Sequence, residues 1–161
     1  MINLLYLAPL TIRLRFRRDI KTWSAIISSN SKYRLCLKHK SLDNEDLVND
    51  FKRKFTAYGV KESQLIFRGY VSKQEHFELY NKTHIMLDTF PYNGTTTTME
   101  ALWMGLPVVT LAGERHQSRV SHSILNNIGA PELSAINIEE YIKKALELAN
   151  DFQKITHYKK T

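Results

Sequence analysis

The 161-residue sequence predicts an α/β fold: a Rossmann-like parallel sheet with helices on both faces. Three observations carry that expectation. Short apolar runs and apolar stripes of period 3.6 alternate along the chain with short links, the pattern of strand–helix units in a parallel sheet. The runs "LIF" and "IMLD" are continuous rather than alternating, as strands covered on both faces are. Helical stripes stop at Gly59, Gly105 and Gly129, the residue type that most often closes a helix.

The elements follow in order. The opening "MINLLYLAPLTIRLRFRR" is apolar first and basic afterwards, the reverse of a signal peptide, and it shows no small-residue cleavage site. Residues 1–18 are read as a divergent leader or an amphipathic surface helix, and residues 19–161 as the folded lobe. In "RDIKTWSAIISSN", Ile20, Trp23 and Ile27 fall at helical spacing. "YRLCLKHK" predicts a strand over 33–38. "NEDLVNDFKRKFTAYG" repeats Leu47, Phe51 and Phe55 every fourth residue. "QLIFRGY" predicts a strand over 64–68. "SKQEHFELYNK" opens on Ser72 with Glu75 three residues on, a capping box. Strands over 84–88 ("HIMLDTF") and 107–111 ("LPVVTLAG") flank the helix "TTMEALWMG". "SRVSHSILNNIG" and "NIEEYIKKALELAND" supply two more helices.

Composition narrows the function classes. A net charge of +7 favours acidic partners. The basic residues are scattered, however, and no aromatic–basic stacking motif supports nucleic-acid binding. No run is apolar for long enough to span a bilayer, so no membrane role is expected. The single cysteine, Cys36, rules out an internal disulfide and fits a reducing, cytoplasmic setting. No metal-ligand cluster is visible: His84 with Asp88 does not amount to one, and His84 and His122 read as packing or surface histidines.

In parallel sheets of this kind, ligands bind beyond the carboxyl ends of the strands. The loop "DTFPYNGTTTT" lies there. Asn93-Gly94 marks a turn, and Thr95, Thr96 and Thr97 then start a helix. Free N–H groups at that start, with the helix dipole and the threonine hydroxyls, suit an anion such as phosphate. The competing reading is structural. Thr97-x-x-Glu100 matches a capping box before an apolar face of Met99, Leu102 and Trp103, and the local pattern alone favours it. Asp88 ends the third predicted strand and reads equally as a ligand-side carboxylate or as a cap of the next turn. His116, Ser118 and Arg119 open the following helix. Ser118 reads as its N-cap, and Arg119 as a group within reach of a phosphate or carboxylate.

Residues 65–133, and above all "LDTFPYNGTTTTMEALWMGLPVVTLAG", resemble the carboxyl-terminal catalytic lobe of the O-GlcNAc transferase/Spindly family. The resemblance continues more weakly back to about Asp19 and on to about Asn150. It implies one lobe of a GT-B fold, a nucleotide-sugar donor, an acceptor protein and no metal or other cofactor. It also implies roles. Lys73 and His76 of "SKQEH" match the family's K-x-x-H element beside the base and ribose, although alone they read as solvated first-turn residues. Thr95, Thr96 and Thr97 match the phosphate-binding helix start, and Glu100 the acidic residue that takes the ribose hydroxyls. The O-GlcNAc branch often carries His where this chain has Thr95, which looks more like the Spindly branch.

The chain departs from the pattern upstream. Leu14 stands where relatives carry a phosphate-binding Lys, and neither Arg13 nor Arg15 restores the register. The tetratricopeptide repeats and the amino-terminal catalytic lobe are not in these 161 residues. The expected function is therefore the donor-binding lobe of a protein O-glycosyltransferase that works with a separate amino-terminal lobe; the alternative is a non-catalytic remnant that binds nucleotide weakly. UDP-GlcNAc is the default donor, and the "PYNGTTTT" form leaves GDP-fucose open.

Overall fold

A computed structural model describes residues 4–7 and 17–159. Six strands form one parallel sheet: β1 (Leu4–Leu7), β2 (Arg34–Lys38), β3 (Leu65–Arg68), β4 (Ile85–Leu87), β5 (Val108–Leu111) and β6 (Ser134–Ala135). Their order is β3-β2-β1-β4-β5-β6, the doubly wound arrangement. The order reverses between β1 and β4, the place in the strand order where sheets of this kind bind ligands. Helices α1 (Arg17–Ser28), α2 (Glu45–Thr56), α3 (Lys73–Lys82), α4 (Thr96–Trp103), α5 (Val120–Asn127), α6 (Ile138–Asn150) and α7 (Phe152–Tyr158) connect and follow the strands.

The four predicted strands are all present and all parallel. Two more were not foreseen. Leu4–Leu7, assigned to the leader by the sequence reading, is β1 and pairs with both β2 and β4 at the centre of the sheet. A central parallel strand is a short continuous apolar run, and such a run carries no periodicity to distinguish it from a leader. The helix read in "RDIKTWSAIISSN" starts at Arg17. Leu14, Arg13 and Arg15 lie outside the described residues. The two-residue β6 and the helix α7 are further additions.

The core explains why the pattern folds this way. Trp23, Ile26 and Ile27 of α1, Phe51 and Phe55 of α2, and Tyr141, Ala145 and Leu148 of α6 are buried against Leu35, Leu37, Ile85, Leu87 and Val109 of the sheet. A smaller cluster under α3 and α4 unites Tyr80, Met86, Ala101, Leu106 and Val108. Trp23 donates its indole N–H to Tyr141 Oη (3.3 Å), and Tyr141 donates in turn to the backbone oxygen of Asp88 (2.9 Å). The core is thereby tied to the last residue of the β4 end. Gly59, Gly105 and Gly129 close α2, α4 and α5 with φ of 83°, 71° and 78°, a region that residues with a Cβ rarely adopt.

Candidate functional site

The carboxyl ends of β2, β3, β4 and β5 carry the polar groups. The helix starts that follow β3 and β4 are built differently. At α3, Ser72 Oγ accepts from Glu75 N (3.3 Å) and Glu75 Oε2 accepts from Ser72 N (2.8 Å), the capping box the sequence predicts. At α4, the residue before the helix is Thr95, and its side chain makes no capping bond to the first turn.

The capping-box reading of Thr97 and Glu100 therefore fails. Thr97 lies inside the helix, not before it. Of the expected apolar face only Leu102 packs on the core; Met99 is 53% and Trp103 88% exposed. The buried stripe of α4 is Thr98 and Ala101, small residues that let the helix sit close to the sheet. Of the four threonines, Thr98 turns inward: its hydroxyl lies 2.9 Å from Gly94 O and 3.0 Å from Ser121 Oγ. Thr95 and Thr96 are exposed and Thr97 is half-buried.

Asp88 holds the loop that presents α4. Its carboxylate is fully buried. Oδ1 accepts from Thr89 N and Gly94 N (2.9 Å each), and Oδ2 accepts from Thr110 Oγ1 (2.7 Å). Burial pushes its pKa up to about 6, and the bonds from Gly94, Ser121, Thr110 and Thr89 oppose that rise. Both readings of Asp88 were open in the sequence; the geometry places it as the clamp of the turn. Gly94 is needed there because an added Cβ would lie 2.5 Å from Thr97 Oγ1 and 3.0 Å from Thr98 Oγ1.

Facing α4 is a polar chain that sequence reasoning found only in part. His76 Nε2 is 3.1 Å from Glu100 Oε2, and Tyr80 Oη donates to the same oxygen at 3.3 Å. Lys38, the last residue of β2, places Nζ 2.8 Å from His76 Nδ1. Burial lowers the Lys38 pKa, and the Glu100 charge works against that shift. The structure thus joins His76 and Glu100, which the sequence singles out, and adds Lys38 and Tyr80. Lys73 opens α3 one turn before His76 and is exposed.

Two hollows border the loop between β4 and α4. One, of about 800 Å³, is lined by Thr95, Met99, His116, Arg119 and Ile128, among others. It brings His116 and Arg119 to the threonine run. Arg119 Nη1 donates to Gly113 O (2.9 Å), and Arg119 itself precedes α5, whose start also lacks a side-chain cap. Ser118 is not that cap; its hydroxyl closes the preceding turn on Arg115. The other hollow, of about 670 Å³, lies across the β4–α4 loop and is lined by Asp19, Phe90, Gly113, Gln117 and Ile136, among others. Asp19 is 3% exposed, its Oδ1 has no hydrogen-bond partner, and burial raises its pKa to about 7. No local pattern flags it, because a lone acidic residue in a first helical turn is ordinary. Among the described residues, no three His, Cys, Asp or Glu side chains gather as metal ligands, and no helix is long and apolar enough to cross a membrane.

Comparison with known proteins bears on this geometry. The family model for Glycosyl transferase family 41 matches residues 17–161. A probable UDP-N-acetylglucosamine–peptide N-acetylglucosaminyltransferase SPINDLY of Solanum lycopersicum is 33% identical over 139 residues, 86% of this chain and 15% of that protein. A UDP-N-acetylglucosamine–peptide N-acetylglucosaminyltransferase of Caenorhabditis elegans is 39% identical over 93 residues, 58% of this chain and 8% of that protein. The solved structure of a Thermobaculum terrenum O-GlcNAc transferase mutant superposes with a TM-score of 0.94 at 29% identity, covering 99% of this chain and 30% of its own. The chain therefore spans a small part of the length of the proteins it matches.

Proposed function

The chain belongs to glycosyltransferase family 41, and from that premise we propose that it is the donor-binding lobe of a nucleotide-sugar-dependent protein O-glycosyltransferase. The observation that carries this reading is the uncapped start of α4 beside the His76–Glu100 pair, at the carboxyl ends of parallel strands. Free N–H groups and hydroxyls at Thr95, Thr96 and Thr97 suit the diphosphate. Arg119 and His116, on the groove that Thr95 shares, add positive or hydrogen-bonding character at its edge. Glu100 suits ribose hydroxyls rather than phosphate, which a carboxylate repels. Lys73 and His76 then flank the base and ribose.

The chemistry is displacement at the anomeric carbon. A Ser or Thr hydroxyl oxygen forms the new bond to the anomeric carbon, the bond from that carbon to the β-phosphate oxygen breaks, and the hydroxyl proton passes to the departing diphosphate or to water. The α4 start stabilises the departing diphosphate, a gain realised as charge develops. The names of the relatives support UDP-GlcNAc as donor; GDP-fucose is the alternative that the threonine form leaves. The acceptor is a protein, and a cytoplasmic setting fits the buried thiol of Cys36. A GT-B site closes between two lobes. The 161 residues assayed alone are expected to bind nucleoside diphosphate weakly and to transfer little sugar, because acceptor placement supplies about 7–11 kcal/mol of such barriers. Calorimetry with UDP and GDP, beside a transfer assay on Ser/Thr peptides, tests both halves. Robust turnover by these 161 residues would sink the half-site reading, and no binding of either diphosphate would sink the donor-lobe reading.

A further inference from the structure

Lys38 ends β2 at the ligand side of the sheet, half-buried, with its ammonium 2.8 Å from His76 Nδ1. An ammonium group only donates. Nδ1 must therefore offer its lone pair, and in the neutral ring the proton sits on Nε2. That proton points at Glu100 Oε2, 3.1 Å away, where Tyr80 Oη also donates at 3.3 Å. The ring is further held by Tyr80, centroids 4.8 Å apart, and by Phe77, 5.7 Å apart. A neutral imidazole thus bridges a cation and a carboxylate with both nitrogens used. Glu100 Oε2 faces both His76 and Tyr80, whose hydroxyl also lies 3.5 Å from Thr97 O, and among the described residues Oε1 has no hydrogen bond.

We propose that Lys38 is a positioning residue for the ribose contact: it fixes His76 as the Nε2–H tautomer, and His76 with Tyr80 then holds Glu100 so that its second oxygen accepts from the ribose hydroxyls. The proposal rests on the donor-lobe reading for the ribose, while the tautomer stands on the free protein alone. Other charged neighbours do not replace the device. Burial works against the charged form of Lys38, and the Glu100 carboxylate favours it; Cys36, whose thiol burial pushes up to about 11, brings no charge at neutral pH.

Two readouts test it on Lys38→Met. The first is the nitrogen spectrum of the His76 ring in the free protein at neutral pH. The wild type is expected to show Nδ1 as a bare acceptor and Nε2 protonated, and the variant to gain a proton on Nδ1 in part of the molecules. The second is the ratio of affinities for UDP and for its analogue lacking both ribose hydroxyls. The wild type is expected to favour UDP by roughly tenfold or more, the size of a hydrogen bond to a carboxylate. In Lys38→Met that preference should fall towards unity, as in Glu100→Gln, while inorganic pyrophosphate binds as before. Equal loss of UDP, analogue and pyrophosphate would mark a merely structural role and overturn the proposal. An unchanged ratio together with an unchanged ring spectrum would overturn the Lys38 role alone. A wild type indifferent to the ribose hydroxyls would overturn the ribose assignment and the proposal with it, whatever the ring spectrum shows.

Discussion

Helices α3 and α4 both follow carboxyl ends of strands in the same sheet, and their first turns are solved in opposite ways. At α3, Ser72 and Glu75 satisfy each other's backbone N–H groups, so the helix closes itself. At α4 the chain spends its polar side chains elsewhere. Thr98 and Ser121 tie to Gly94, Asp88 holds Gly94 from below, and the first turn is left uncapped. A closed start contributes stability. An open start supported by a buried clamp gives up that contribution and keeps donors for an anion. The difference teaches that hydroxyl-rich sequence is not capping sequence; what matters is which way each hydroxyl is turned.

The largest test of this contrast falls on the clamp. Asp88→Ala strips the partner from Gly94 N, Thr89 N and Thr110 Oγ1, all at a fully buried site. It should cost about 3–5 kcal/mol in urea unfolding, with the α4 start losing its shape. A loss below about 1 kcal/mol would show that the loop holds itself without Asp88.

The other buried carboxylate sharpens the contrast, because Asp19 has one oxygen without a partner where Asp88 has both engaged. Its folded pKa, about 7, lies above the ordinary 3.8. Its stabilising contribution is therefore present below about pH 4 and lost as pH rises through about 7. Asp19→Asn should remove that slope and raise stability at pH 8 by about 2–4 kcal/mol. Chemical unfolding at pH 5 and pH 8 reads this directly; an Asn variant that is less stable at pH 8 would mean that the carboxylate has a partner there.

A smaller effect separates the two helix starts themselves. Ser72→Ala should cost about 1 kcal/mol of stability and leave nucleotide affinity untouched. Thr96→Val with Thr97→Val should do the reverse, leaving unfolding nearly unchanged and weakening UDP or GDP by roughly ten- to a hundredfold. Swapped outcomes would reverse the assignment of the two ends.

Much of this architecture was legible in the chain. Strands β2 to β5 announce themselves as short apolar runs, and Gly59, Gly105 and Gly129 mark real helix ends. Ser72 with Glu75 is a true capping box because Ser72 stands immediately before the first turn of α3. The same rule misled at Thr97, since α4 begins at Thr96 and turns Thr98 and Ala101 to the sheet. With small residues inside, Met99 and Trp103 fall outside, and the large side chains point the wrong way for a composition-based guess. Leu4–Leu7 is an apolar run with no periodicity to set it apart from a leader, and only its two neighbours in the sheet define it as a strand. Lys38 had no local signal at all; a single basic residue at a strand end gains meaning from His76, 38 positions later.

The central claim, that α4's open start is the diphosphate site, is tested most directly by backbone amide NMR during titration with UDP. The account predicts large, saturable shifts at the amides of Thr96, Thr97 and Thr98, and small ones at Gln74 and Glu75 in the closed first turn of α3. Shifts of equal size at both helix starts, or none at Thr96–Thr98 when UDP saturates the protein, would contradict it.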